Sequence, residues 1–141
     1  MERQKTAVRY YSRSGNTAKI ATAIAEECGC RAKKIPQPLT EPVDLLFLGA
    51  ALYGGRLDAE VTTFLQSLEK DKVGRVAVFA TSAISKKVYQ LVCAELEGSG
   101  IETAADNFYC HGKFAFLHIG HPSEADEQAA RDFARRVRQD A

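Results

Sequence analysis

Nowhere among the 141 residues does an apolar run approach the roughly 20 needed to cross a bilayer, so no membrane span is expected. The opening stretch Met1-Glu2-Arg3-Gln4-Lys5-Thr6 has no apolar region of the signal-peptide kind, which sets a cytoplasmic expectation. A dominant charge sign is missing too. Lys and Arg number 19 against 18 Asp and Glu, a formal net charge of +1, which gives no strong electrostatic case for nucleic acid. The dense basic cluster Arg135-Arg136-Arg138 is expected instead to complement the negative end of the last helix.

The four cysteines contain no C-x-x-C pair. Cys28-Gly29-Cys30 is too tight for the usual zinc spacing and has no second pair to join it. In a cytosolic chain these are reduced thiols, with Cys93 on a helix and Cys110 in a strand as small buried apolar groups. His118 and His121 stand three apart, but with no carboxylate before Glu124 and no helical pattern they make a poor metal site. No Ser-His-Asp, Cys-His or paired-carboxylate arrangement is present either, so no catalytic residue is assigned. Tryptophan is absent altogether.

What the chain does contain is a regular alternation, of a length that suits a single domain over 1–141. Short apolar runs at Thr6–Tyr11, Arg31–Ile35, Leu45–Ala51, Arg75–Thr81 and Glu102–Cys110 predict five strands. Leu45-Leu46-Phe47-Leu48 and Val76-Ala77-Val78-Phe79 do not alternate, as expected of central parallel strands covered on both faces. Between them lie helical patterns. Ile20, Ile24 and Cys28 repeat at spacing four. Val61, Phe64, Leu65 and Leu68 follow the cap Asp58, and Val88, Leu91, Val92 and Leu96 end at Gly98 or Gly100. A last helix opens at Ser123 with Glu124, Asp126 and Glu127 in its first turn, and its apolar stripe is Ala129, Phe133 and Val137. One helix is missing, between strands two and three, where Pro36–Pro42 forms a short loop. The pattern predicts an α/β, three-layer, doubly wound, five-stranded parallel sheet. Order 2-1-3-4-5 fits this length, with the ligand site beyond strands one and three.

The first strand runs into Ser12-Arg13-Ser14-Gly15-Asn16-Thr17 and then a helix. A hydroxyl- and glycine-rich turn opening a helix gathers backbone N–H groups at the positive end of the helix dipole, which is a phosphate-binding arrangement. The same six residues also suit an ordinary turn with a helix cap. They lack the Gly-Lys-Ser/Thr of a P-loop and the three glycines of the dinucleotide fingerprint.

The turn resembles the phosphate loop of the flavodoxin family, Ser/Thr-x-Ser/Thr-Gly-Asn-Thr. Leu48-Gly49-Ala50-Ala51-Leu52-Tyr53-Gly54-Gly55 resembles that family's second flavin loop, and Thr81-Ser82 stands where its third loop begins. The likeness runs in order along the whole chain and is of the short-chain type. It implies FMN as cofactor, with Ser12, Arg13, Ser14, Gly15, Asn16 and Thr17 at the phosphate. Leu52, Tyr53, Gly54 and Gly55 are implied at the ring, where Tyr53 stacks and the glycine region lets a peptide rotate. Thr81 and Ser82 are implied at the pyrimidine edge. Tyr53 also suits a surface turn, and Thr81 and Ser82 a helix cap.

The resemblance implies electron transfer to a redox partner protein or a small electron donor or acceptor. Two departures stand out. Dedicated carriers are acidic, whereas this chain is nearly neutral and places Arg13 and Arg56 in its flavin loops, which predicts a less negative flavin potential. Without Trp, one face of the flavin lacks its common cover. The apolar stretch Gly112–Ile119 has no place in the minimal pattern. Core packing is the favoured reading; extension of strand five, cover for the open flavin edge and a homodimer face remain open. Two rival functions stay open beside the carrier: an FMN-dependent dehydrogenase or reductase acting on a quinone or porphyrinogen, and a cofactor-free binding module.

Overall fold

A computed structural model describes residues 4–12, 15–52, 55–81, 87–110 and 123–140. In chain order the elements are β1 (Thr6–Tyr10), α1 (Asn16–Cys28), β2 (Ala32–Lys34), β3 (Val43–Ala50) and α2 (Ala59–Ser67). Then follow β4 (Val73–Thr81), α3 (Lys87–Leu96), β5 (Glu102–Thr103), β6 (Phe108–Cys110) and α4 (Glu124–Gln139). The strands form one parallel sheet, β2-β1-β3-β4, with β5 and β6 both paired to the outer edge of β4. This is the expected doubly wound α/β sheet.

The fifth position differs from the expectation of one strand over Glu102–Cys110. β5 pairs with Arg75 and Val76, and β6 with Phe79, Ala80 and Thr81. Residues 104–107 therefore lie opposite Ala77 and Val78 alone, more chain than a ladder accommodates. Ala104 still donates its N–H to the Val76 carbonyl at 2.8 Å. Beyond it Asp106 and Asn107 favour a turn, and the Asp106 carboxylate leaves the sheet to meet Arg136 of α4 at 2.9 Å. Polar turn chemistry overrides the apolar run here.

Side chains alternate across the central strands. Leu45 and Phe47 of β3 and Ala77 and Phe79 of β4 pack with Ile20 and Ile24 of α1 and with Phe133 and Val137 of α4. Leu46, Leu48, Val76 and Val78 pack on the other side with Val61, Phe64 and Leu65 of α2 and with Val88, Val92 and Leu96 of α3. Both faces are covered, which is why neither run needs polar residues. Gly49 has a packing reason: a β-carbon there would intrude into the fully buried ring of Phe79.

The last helix is capped as expected. Ser123 Oγ accepts the Asp126 N–H at 3.3 Å, and Asp126 Oδ2 accepts the Ser123 N–H at 2.8 Å. Its stripe is shifted from the expected one: Ala129 is exposed, and Ala130, Phe133, Ala134 and Val137 are buried at i, i+3, i+4 and i+7. On α1 the buried stripe ends at Ala25, and Cys28 is only half-buried.

The C-terminal arginines also depart from expectation. Arg135 pairs with Glu27 at 3.1 Å, Arg136 with Asp106, and Arg138 donates to the Glu27 carbonyl at 3.1 Å. Helical side chains lean toward their own N-terminus, so these reach across rather than forward. The last carbonyls of α4 are met by Arg75 of β4, which donates to Val137 O at 3.0 Å and Asp140 O at 2.9 Å.

The helix missing between β2 and β3 is replaced by a polar anchor. Arg9 of β1 is 4% exposed. It donates to the carbonyls of Gln37 at 2.9 Å, Pro38 at 3.1 Å and Val8 at 3.0 Å. Burial lowers its pKa, with the nearby Cys30 thiol pulling the other way. A guanidinium retains its charge and its five donors under such a load, so one side chain ties down the loop that a helix would otherwise cover.

Candidate functional site

Three strands deliver the expected loops to one edge of the sheet. At the end of β1 the pairing continues for one residue, where the Tyr11 N–H meets the Gly49 carbonyl at 3.0 Å. The chain then turns at Ser12, whose Oγ accepts the Gly15 N–H at 2.9 Å. Gly15 is left-handed, with φ 86° and ψ −5°, and caps α1 by backbone alone: no side chain bonds the helix start at this position. Among the described residues, its chain neighbours aside, nothing lies within 4 Å of where a β-carbon on Gly15 would be. The first turn of α1 also carries no carboxylate. A helix start has N–H groups without intrahelical partners and partial positive charge, and the first turn itself brings no acid to compete for either.

Thr17 sits just inside that helix at 1% exposure. Its hydroxyl lies 2.6 Å from the hydroxyl of Thr81, the 4%-exposed last residue of β4. The first and third expected loops thus meet through a direct contact. From the second loop, Leu52 packs half-buried on the cluster beneath α2 and α3. Gly55 is exposed with φ 75°, a backbone state that disfavours any side chain. Arg56 follows it, also exposed.

Among the expected residues, Ser12, Gly15, Asn16, Thr17, Leu52, Gly55 and Thr81 are described. Arg13, Ser14, Tyr53, Gly54 and Ser82 lie outside the described residues, as do His111, His118, His121 and the stretch Gly112–Ile119. The sequence reading missed Lys87, the first residue of α3, whose Nζ stands 4.0 Å from the place a β-carbon on Gly55 would occupy. No local pattern announces it, because the approach depends on how α3 packs beside the second loop.

The strongly shifted thiols sit elsewhere. Burial and then the Cys30 thiol push Cys28 up to about 12, while burial and the Asp126 carboxylate push Cys110 up to about 12. Such thiols are poor nucleophiles and poor metal ligands. Among the described residues no group of three or more His, Cys, Asp or Glu is placed to hold a metal ion, and no helix is long and apolar enough to cross a membrane.

With this geometry in hand, comparison with known proteins is informative. A family model described as a flavodoxin domain matches residues 7–113. An uncharacterized protein of Methanocaldococcus jannaschii is 26% identical over 136 residues, covering 86% of this chain and 89% of that protein. Among solved structures, oxidised flavodoxin 2 of Bacillus cereus superposes with a TM-score of 0.73 at 19% identity, covering 97% of this chain and 99% of the other. The rubredoxin:oxygen oxidoreductase of Desulfovibrio gigas gives a TM-score of 0.75 at 17% identity. The match covers 96% of this chain but only 35% of that one, so the chain spans about a third of that enzyme's length. A flavoprotein of Lactobacillus acidophilus, solved in complex with FMN, gives 0.60 at 19% identity over 76% of this chain and 93% of that one. The structural likenesses speak to the fold, and the family match spans most of the sequence: the chain belongs to the flavodoxin domain family.

Proposed function

We propose that this chain, acting as one domain, binds FMN at the edge formed by the ends of β1, β3 and β4 and transfers electrons between soluble partners. The observation that carries the reading is the start of α1. A left-handed Gly15, open space above it, no side-chain cap and no carboxylate in the first turn make a seat for a phosphate monoester. Ser12 holds the turn closed by accepting the Gly15 N–H, and Thr81 fixes Thr17 from behind. The flavin, when bound, supplies the one- and two-electron chemistry; the chain supplies orientation and charge. Gly55 gives the second loop the backbone freedom to adjust beside the ring. Arg56 and Lys87 put positive charge next to that loop, which favours an anionic reduced ring and a less negative potential than acidic carriers have.

The rival reading, a dehydrogenase or reductase for a quinone or porphyrinogen, draws on the near-neutral charge and on the apolar residues 114–119, which lie outside the described residues. A cofactor-free module would have no use for a helix start capped by backbone alone, with no acid in its first turn. The visible spectrum of the purified protein tests the proposal. Flavin absorption bands, lost in Gly15→Asp and Thr17→Glu, are expected. A colourless protein that takes up no added FMN would end it. Redox titration of the holoprotein then tests the charge argument, and a very low second potential would sink that part alone.

A further inference from the structure

At the β1–β2 edge, beside the loop that stands in for a helix, charge is arranged in a way the chain itself does not balance. Arg9 is the one charged side chain buried among the described residues, and no carboxylate there lies within ion-pair distance of it. The carbonyls of Val8, Gln37 and Pro38 take one N–H from each nitrogen of its guanidinium. The second N–H on each terminal nitrogen meets no acceptor among the described residues. Carbonyl dipoles ease desolvation but supply no opposite charge, and a buried charge without a counter-ion is costly. Burial accordingly lowers the Arg9 pKa, and what opposes it is the Cys30 thiol rather than a carboxylate.

Strand register adds to the imbalance. Lys33 of β2 is the in-register neighbour of Arg9, so two cations stand side by side on one face of the sheet, where like charges repel. Lys33 is half-buried and also meets no carboxylate among the described residues. Other cations in that position, such as Lys19, Lys34, Lys70 and Lys72, are exposed, and water solvates them. A cavity of about 250 Å³ opens onto the buried pair. Arg9, Arg31 and Lys33 line it from the strand edge, and Leu39, Thr40 and Glu41 line it from the loop. Glu41 is exposed and already paired with Lys5 at 3.6 Å.

We propose that this cavity binds a small tetrahedral oxyanion of the phosphate or sulfate type, which supplies the counter-charge that Arg9 and Lys33 lack. Arg9 has two N–H groups left for it, and charge-assisted bonds from a guanidinium to such an anion are strong ones. Lys33 and Arg31 add point charges, so the site favours a dianion over chloride. The volume admits a phosphate with a few waters but falls short of what a whole nucleotide fills. The anion ties β2 to the loop that follows it, at the edge where no helix covers the sheet. None of the lining residues belongs to the loops at the flavin edge, so the proposal stands apart from the flavin reading.

Amide NMR of the labelled protein, titrated at low ionic strength with inorganic phosphate and separately with sulfate, tests this. Shifts are expected at Arg9, Lys33, Leu39 and Thr40, saturating by about 10 mM of either anion. Half-saturation should need at least about fivefold more phosphate in Lys33→Gln and in Arg31→Gln, whose folding circular dichroism verifies. Chloride at matched ionic strength should not reproduce the shifts. Four results would overturn the proposal: no saturable shift at these residues; the same shifts with chloride; a half-saturation point unchanged in both variants; or saturable shifts confined to Gly15, Asn16 and Thr17, which would mean that phosphate meets the start of α1 alone.

Discussion

The two faces of the sheet are held by different means. Over the α1–α4 face, α4 is fastened to its surroundings by Arg131–Glu26, Arg135–Glu27 and Arg136–Asp106, with Arg75 closing its end. Beneath these lies a fully buried aromatic, Phe133, with ring centroids 5.7 Å from Phe47 and 5.8 Å from Phe108. Over the α2–α3 face Gln66 of α2 donates to Glu95 of α3 at 3.2 Å, and an open groove remains between the two helices. One face is crossed by arginine–carboxylate pairs over a filled aromatic interior; the other keeps a half-buried apolar strip, Leu57 and Leu91, along an open groove.

Several measurements would break or sharpen this contrast. The largest effect is expected from Phe133→Ala, at about 4 kcal/mol lost in urea unfolding, because the cavity lies under α4 where nothing can collapse into it. Phe64→Ala, on the opposite face and at the rim, should cost visibly less; equal losses would erase the distinction. Next comes the hydroxyl pair at the sheet edge. Thr17→Val and Thr81→Val should each cost about 1–2 kcal/mol by orphaning a buried hydroxyl. The double variant should cost less than the sum, and additivity would mean the pair does not interact.

The third prediction concerns alkaline pH. Cys28 and Cys110 belong to the α1–α4 face and hold their protons to about 12 when folded, against 9.0 for an unperturbed thiol. Since the unfolded chain ionises first, their contribution is intact below pH 9 and is lost as pH rises from 9 toward 12. Comparing urea midpoints at about pH 8 and about pH 10, Cys110→Ser should show a shallower fall than the parent. A parallel fall would show that this thiol is not the cause. The smallest effect is Arg135→Gln, where an exposed pair should be worth at most about 0.5 kcal/mol and less in salt. A larger loss would mean the arginine fence is structural rather than neutralising.

Much of this architecture was legible in the chain. Leu45–Leu48 and Val76–Phe79 had to be central because nothing polar interrupts them, and Ser123 with Asp126 announced a helix start by their spacing alone. Half of the candidate site was legible too, since Gly15 and its hydroxylic neighbours follow directly on a strand. What escaped detection depended on distance along the chain. Thr81 meets Thr17 across 64 residues; Arg9 anchors the loop between β2 and β3; Lys87 reaches Gly55 only because α3 packs there. The split between β5 and β6 was hidden by apolar residues on both sides of Asp106-Asn107, where turn preference outweighed strand propensity. Ala129 was misplaced because one face of α4 offers alanines at neighbouring positions, and a methyl group gives little periodic signal.

The hydroxyl contact between Thr17 and Thr81 joins positions 64 residues apart. A contact of that span is expected only once β3 has paired with both β1 and β4, so the Thr17–Thr81 junction at the start of α1 is completed late in folding. A ligand that rested on both the start of α1 and this junction would bind only chains whose fourth strand is already in place. Its affinity is drawn on the whole parallel ladder, and loading the site should slow amide exchange as far away as the carboxyl end of β4.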